Sequence, residues 1–254
     1  MILIQLLKHL KINDILIPQQ FGFREGHSCI QQILRVTEYA TLEINKNRLT
    51  QPLLLDIEIT FDSVWHKALI YKMHKIRVPA QIIHIIISYL ADRRMYVVVN
   101  GTSSTTKIVR PGVPQGSILS PTLYSIFTND ILTTSNTQLA VYADDTAIYA
   151  SSWNSQHATK YIQHHLNQII EYMINWKLRV NPHITQATTF TRKRISLIDQ
   201  VEVLGQKIHW TPKVKYLRLT LDNKLIWAPA IAERARLAHP APGKSTHSSQ
   251  IAPN

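Results

Sequence analysis

Apolar and polar residues recur along this chain with two periods, one suited to helices and one to strands. After a short apolar segment, MILIQLLKHLK, and a turn-rich stretch at 20 to 28, QFGFREGHS, the positions Ile30, Ile33, Leu34, Thr37, Thr41 and Ile44 predict an amphipathic helix that buries that face, capped by Ser28. Residues 52 to 57, PLLLDI, form a short apolar run with an acid inside it, and its length favours a buried strand over a helix. Helices are expected at about 66 to 76 and 80 to 91. Within 95 to 111, β-branched runs flank Asn100-Gly101 and predict a two-stranded ribbon. Ser120-Pro121 sets a cap residue before a first-turn proline, so a helix should run through Leu123, Phe127 and Ile131. Residues 138 to 150, QLAVYADDTAIYA, read as strand, tight acidic turn, strand. Ile162, Leu166, Ile169, Met173 and Trp176 predict a helix over 157 to 176 that packs on one side. Shorter strands are expected near 186 to 192 and 214 to 221, the second ending at Asp222-Asn223. The alternation makes the fold class α+β.

Composition narrows the setting. With 254 residues, 45% hydrophobic and 17% charged, the chain is long enough for a core and close to ordinary globular composition. Lys and Arg outnumber Asp and Glu by 28 to 16, a formal charge of +12, which points to a polyanionic partner with nucleic acid foremost. Cys29 is the only cysteine, so an intrachain disulfide and a thiolate zinc site are excluded and an intracellular setting fits, nucleus and cytoplasm being indistinguishable. The opening apolar run is too short to span a bilayer and has no basic leader or small-residue cleavage site, so no membrane association is expected. The twelve histidines lack metal-ligand spacing, and His164-His165 are expected at the surface. From about residue 229 the composition turns to Ala, Pro, Ser and basic residues, and a disordered tail is expected over 231–254.

Acids are scarce, yet three of them interrupt strands built from Leu, Ile, Val, Tyr and Ala: Asp56, Asp144 and Asp145. A carboxylate in a partly buried strand loses hydration, and two adjacent aspartates at one turn also repel. Such a set calls for strong local positive charge. A pair of Mg²⁺ ions fits oxygen ligands better than any His or Cys site would, and two ions about 4 Å apart suit nucleotidyl transfer. Taken alone, an Asp-Asp pair is more often a surface turn.

Six segments occur together in one order: QFGFREGHS, LLLDIEITFDSVWHKALIYKMHKI, RPGVPQGSILSPTLYSIFTNDI, AVYADDTAIYA, WKLRVNP with TFTRKR, and VKYLRLTLDNKLIW. In this the chain resembles, over about residues 8 to 230, the reverse transcriptases of non-LTR retrotransposons, closest to the jockey-like elements. The resemblance implies a polymerase palm, an antiparallel sheet backed by helices, with partial fingers and a truncated thumb. Its divisions are 1–50 for partial fingers, 51–192 for the palm with fingers elements inserted at about 80–115, and 193–230 for the end of the palm, the primer grip and the start of the thumb. The implied activity is RNA-directed DNA polymerase, with RNA template, DNA primer and dNTPs as partners and two Mg²⁺ ions, replaceable by Mn²⁺, as cofactors. Position by position, Asp56, Asp144 and Asp145 match catalytic metal ligands, and Ile57 would add a backbone carbonyl. Phe61 matches the gate that excludes a ribose 2′-hydroxyl. Gln115 and Gly116 match the segment beside the incoming nucleotide. Arg24 resembles a contact to template or triphosphate, a solvated loop arginine being the equal alternative. Tyr142 would position the turn at the primer end, and Lys215, Tyr216 and Leu217 would begin the primer grip. Asp62 and Glu58 fall outside the ligand pattern, and capping or surface roles are expected for them.

Three departures from the family pattern stand out. Ile184 stands where a lysine is thought to protonate the leaving pyrophosphate, Arg218 where a glycine is usual, and Ile59-Thr60 where Lys-Ala is more typical. The endonuclease region is also missing. Two readings therefore remain: a working polymerase domain fragment, or a catalytically impaired remnant that only binds RNA or RNA–DNA hybrid. An RNA-templated RNA polymerase shares the carboxylates but is disfavoured by Phe61 and PQGS.

Overall fold

The computed structural model describes residues 1–58, 61–194 and 199–238, so Ile59-Thr60 and the tail past Ala238 lie outside the described residues. In chain order come α1 (Ile2–Ile12), α2 (Cys29–Asn45), β1 (Leu49–Glu58), α3 (His66–Lys75) and α4 (Ala80–Leu90), then the short strands β2 (Arg94–Met95), β3 (Val98–Val99), β4 (Thr102–Ser103) and β5 (Lys107–Ile108). They are followed by α5 (Ser120–Phe127), β6 (Gln138–Tyr142), β7 (Asp145–Ser152), α6 (Ser155–Asn175) and β8 (Arg179–Ala187). The last elements are β9 (Val201–Val203), β10 (Gln206–Ile208), β11 (Lys213–Tyr216), β12 (Leu219–Asp222) and α7 (Ala228–Ala238).

The centre is a four-stranded antiparallel sheet in the order β6-β7-β1-β8. Strand alternation sorts its side chains into two layers. Leu53, Leu55, Ile57, Leu139, Val141, Ile148 and Ala150 enter one core with residues of α3, α4, α5 and α6. Leu54, Ala140, Ala147 and Tyr149 point the other way, into a second core with Ile33, Val36 and Ala40 of α2 and Val214, Tyr216 and Leu221 of the β11–β12 hairpin. Because β1 is covered on both faces over Leu49–Leu55, its Leu53–Leu55 run is continuously apolar. Its two acids, Asp56 and Glu58, fall after Leu55, where that cover opens.

Several expectations are corrected. Helix α2 has its Ser28 cap, with the hydroxyl accepting from the Gln31 amide at 3.2 Å, but it buries a rotated face: Ile30 and Leu34 are exposed while Gln32 and Glu43 are buried. Specific partners explain this. Gln32 donates to the Val141 carbonyl at 3.1 Å, and Glu43 pairs with Arg48 and Lys46. In α5, Pro121 sits in the first turn as expected, but the Ser120 hydroxyl donates to the Pro114 carbonyl instead of capping, and the helix ends at Phe127, before Ile131. His165 is buried, not superficial, between the Thr137 hydroxyl at 2.6 Å and the Leu132 carbonyl at 2.9 Å. Burial lowers its pKa, so the ring is held neutral.

The strand expected near 186 to 192 lies earlier, at 179 to 187, and a β9–β10 hairpin follows that the pattern did not signal. The ribbon around Asn100-Gly101 forms two short ladders, β3–β4 and β2–β5, with positive φ at both turn residues. Part of the tail expected to be disordered, from Ile231 to Ala238, is helical in α7, and Thr220 donates to Glu233 at 2.7 Å.

Candidate functional site

The β6–β7 hairpin turns at Ala143-Asp144, with Tyr142 paired to Asp145 and Ala143 at φ 58°. The β1–β7 ladder ends at Leu55↔Thr146, so Asp56 and Asp145 occupy the next step, just past the last pair. Two remote segments thus place three carboxylates at one end of the sheet. Burial, then Asp144 and Glu58, raise the pKa of Asp56. Burial, then Asp144 and Asp56, push Asp145 up to about 6, opposed by Arg218. Both Asp144 and Asp145 keep an exposed side at the turn, so water or an incoming cation can reach them. Among the described residues no three His, Cys, Asp or Glu side chains close into a ready-made metal cage. The donor set suits hard divalent cations that take remaining ligands from water or a phosphate. Beside it, the buried Tyr124 and Thr146 hydroxyls have no hydrogen-bond partner among the described groups, and Asp144 adds to the burial that raises Tyr124. Ile57 is buried, so only its backbone could face such an ion.

Phe61 lies on the loop after β1, its ring 5.4 Å from Tyr124 and 6.1 Å from the exposed Phe23, measured between centroids. Its carbonyl accepts from the Val113 amide at 2.7 Å, and Val64 accepts from Gly112 at 2.8 Å, which fastens the PGVPQG segment to this loop. Gln115 then donates to Asp62 at 2.7 Å. Asp62 caps no helix but is exposed at the surface, as expected, and from there its carboxylate orients Gln115. Gly116 adopts φ 80°, a conformation that favours glycine. Glu58 ends β1 opposite Arg179.

The other expected residues are distributed unevenly. Arg24 donates to the Ile17 carbonyl at 3.0 Å, so part of its guanidinium braces its own loop. Tyr142 is next to the acidic turn, and the neighbouring Cys29 thiol, followed by burial, raises its pKa. Tyr216 is buried in the second core, so its ring supports the β11–β12 hairpin from beneath; Leu217 is half-buried at the tip and Lys215 exposed. Ile184 is exposed on a bulge of β8, where the register with β1 shifts between Leu54 and Asp56.

Two residues holding the acidic turn were not singled out from the sequence. The buried Gln20 side chain accepts from the amides of Gly22 at 2.8 Å and Ala143 at 3.3 Å. Phe21 donates to Val141, and Val141 to Gln19, so this loop runs alongside β6. A Cβ on Gly22 would stand 2.3 Å from the Ala143 nitrogen. Only a buried glutamine beside a glycine marks this in the sequence, and that signal is generic.

Comparison with known proteins agrees with this geometry. The sequence model of the family described as "Reverse transcriptase (RNA-dependent DNA polymerase)" matches residues 1–221. The chain is 34% identical over 241 residues to a probable RNA-directed DNA polymerase from transposon BS of Drosophila melanogaster, covering 89% of the chain and 26% of that protein. It is 35% identical over 217 residues to the RNA-directed DNA polymerase from mobile element jockey of the same species, covering 82% and 24%. The chain thus spans about a quarter of these relatives. Among solved structures, apo telomerase from Candida tropicalis, truncated from its C-terminal domain, superposes with a TM-score of 0.57 at 16% identity, over 87% of this chain and 42% of that one. Telomerase from Candida albicans, in complex with a fragment of telomeric RNA, gives 0.58 at 14% identity, over 87% and 37%. At these identities the likeness is one of fold: an α+β reverse transcriptase palm.

Proposed function

The chain belongs to the reverse transcriptase family, and from that premise we propose that it is the polymerase domain of a retrotransposon protein, joining dNTPs to a DNA primer on an RNA template. Reverse transcriptases are nucleotidyltransferases that generally use divalent metal. The observation that carries the proposal is the meeting of Asp56 with Asp144 and Asp145 at the ends of adjoining strands. These carboxylates would hold two Mg²⁺ ions, with the Ile57 carbonyl assisting and Mn²⁺ able to substitute. When bound, the ions supply activation of the primer hydroxyl and charge neutralisation of the leaving pyrophosphate.

The protein's own contribution is placement. Phe61, wedged against Tyr124, supports the sugar of the incoming nucleotide and leaves no room for a 2′-hydroxyl. Gln115, fixed by Asp62, and Gly116, open above its backbone, line the nucleotide's path. Arg24 retains donors beyond the one given to Ile17 and meets triphosphate or template. Tyr142 and the hairpin tip at Leu217 set the primer end against the acidic turn. Ile184 offers no proton to the pyrophosphate, so water must supply it and turnover is slowed.

Primer extension on an RNA template with dNTPs and Mg²⁺ or Mn²⁺ tests this. Metal-dependent extension should fall on the order of a hundredfold or more in Asp144→Ala/Asp145→Ala. Extension equal to that variant's would refute a working enzyme, and hybrid binding without extension would identify the binding remnant. A higher rate in Ile184→Lys would locate the missing proton donor.

A further inference from the structure

Three segments remote in the chain wall a cleft of about 680 Å³ beside the loop that follows β1. One runs from Glu58 to the start of α3, one is Arg110-Pro111, and one is the turn from α6 into β8. The walls are fastened together. His66 donates from Nε2 to the Gly112 carbonyl at 2.7 Å, and the Arg93 guanidinium donates to the carbonyls of Pro111 at 2.6 Å and Gly112 at 2.7 Å. Gly112 lies so close to the loop that a Cβ on it would stand 2.6 Å from the Asp62 Cα. On the far side, Glu58 and Arg179 are paired residues of β1 and β8, and the Lys177 ammonium lies 4.2 Å from the centroid of the Trp65 ring. Backbone contacts thus set the shape of the cleft.

Four cations line it, Lys67, Arg110, Lys177 and Arg179, against two acids, Glu58 and Asp62. Among the described residues none of the four makes an ion pair or a side-chain hydrogen bond, and Asp62 is engaged by Gln115 at 2.7 Å. We propose that this cleft binds a short inorganic oligophosphate, of which pyrophosphate is the simplest, at a site separate from Asp56, Asp144 and Asp145. Arg110 and Arg179 offer planar forks that take phosphate oxygens two at a time, and Lys67 and Lys177 add compact charges. An oligophosphate presents several anionic oxygens in a small volume, which a singly charged anion does not. A nucleic-acid strand spaces its phosphates along a track, whereas these cations ring one cavity. The inference goes beyond the polymerase reading and needs neither metal nor template.

The test is equilibrium dialysis of the full chain against radiolabelled pyrophosphate in EDTA at low ionic strength. Lys177→Ala and Arg179→Gln should each weaken binding about fivefold, and the two together about twentyfold. Glu58→Gln, which removes an opposing charge, should tighten it about threefold. All of these differences should shrink in high salt. Lys177 and Arg179 are exposed, so thermal melts of their variants should coincide with the parent's and separate lost binding from lost fold. Asp144→Ala/Asp145→Ala should bind pyrophosphate at least as tightly as the parent does. No binding by the parent, or equal binding by the Lys177→Ala/Arg179→Gln variant, would overturn the inference. Loss in Asp144→Ala/Asp145→Ala would place the anion at the acidic turn and overturn it as well. A single-stranded oligonucleotide held through Lys177 and Arg179 while pyrophosphate is not would assign the cleft to nucleic acid instead. Primer extension is read separately, so failure here leaves the polymerase reading standing, and the reverse.

Discussion

Gly22 has no side chain because the acidic turn occupies the space where one would be. A Cβ there would lie 2.3 Å from the Ala143 nitrogen and 2.9 Å from the Tyr142 carbonyl carbon, both of them backbone atoms that cannot rotate aside. Gly22→Ala must push the turn outward or shift the Gln19–Gly22 loop, at an expected cost of about 1–3 kcal/mol in chemical denaturation. A displacement approaching 1 Å at the carboxylates should lower primer extension on the order of a hundredfold while the fold persists by circular dichroism. Unchanged extension would show that Gly22 serves packing alone. Asp56, Asp144 and Asp145 were legible in the sequence because an acid in an apolar strand is costly wherever it occurs. Gln20 and Gly22 were not, because their importance lies in what they touch more than a hundred residues away, as with the Gln20 bond to Ala143.

Among the elements, α3, α5 and α6 meet at one buried cation. The Lys72 ammonium donates to the Phe127 carbonyl, to Asp130 at 2.6 Å and to the Tyr172 hydroxyl at 3.0 Å, and lies 3.8 Å from the centroid of the Trp176 ring. Burial lowers its pKa to about 8, against partial support from Asp130. Between about 8 and the unfolded lysine's 10.5 the unfolded chain binds more protons, so this group makes stability rise with pH across that window, and its effect levels off below about 8, where both states are protonated. Urea denaturation at pH 8 and pH 10 should show that rise, on the order of 2 kcal/mol, and Lys72→Met should abolish it. A slope unchanged in Lys72→Met would place the titration elsewhere. No periodicity could have announced this brace: Lys72 sits on the apolar face of an ordinary helix, and its partners come from two others. The rotated face of α2 is a similar case, since Gln32 and Glu43 are tolerated inside by the Val141 carbonyl and by Arg48.

For the whole molecule, the excess of basic residues is the property most plainly written in the sequence, +12 in net charge. If nucleic acid is the partner, binding to an RNA–DNA hybrid should weaken steeply with salt, with log affinity falling against log salt at a slope of about −3 to −5 for some four to six phosphates met. Binding that ignores salt would mean that the charge is a solvated surface. Fold class and the acidic turn followed from local pattern: alternation marks strands, a period near four marks helices, and a tight turn between two apolar strands exposes its tip wherever the strands pack. The six ordered segments supplied the family, and the match over residues 1–221 agrees. Tertiary structure decided the rest. It set the strand order β6-β7-β1-β8, which carries Asp56 to Asp145 across the gap in sequence, and packed the β11–β12 hairpin into the same core as the strands of the acidic turn. Local pattern records which residues are apolar and how they recur, and so predicts elements; which elements become neighbours depends on the shapes and partners of side chains distant in the chain, and the geometry of the site follows from that.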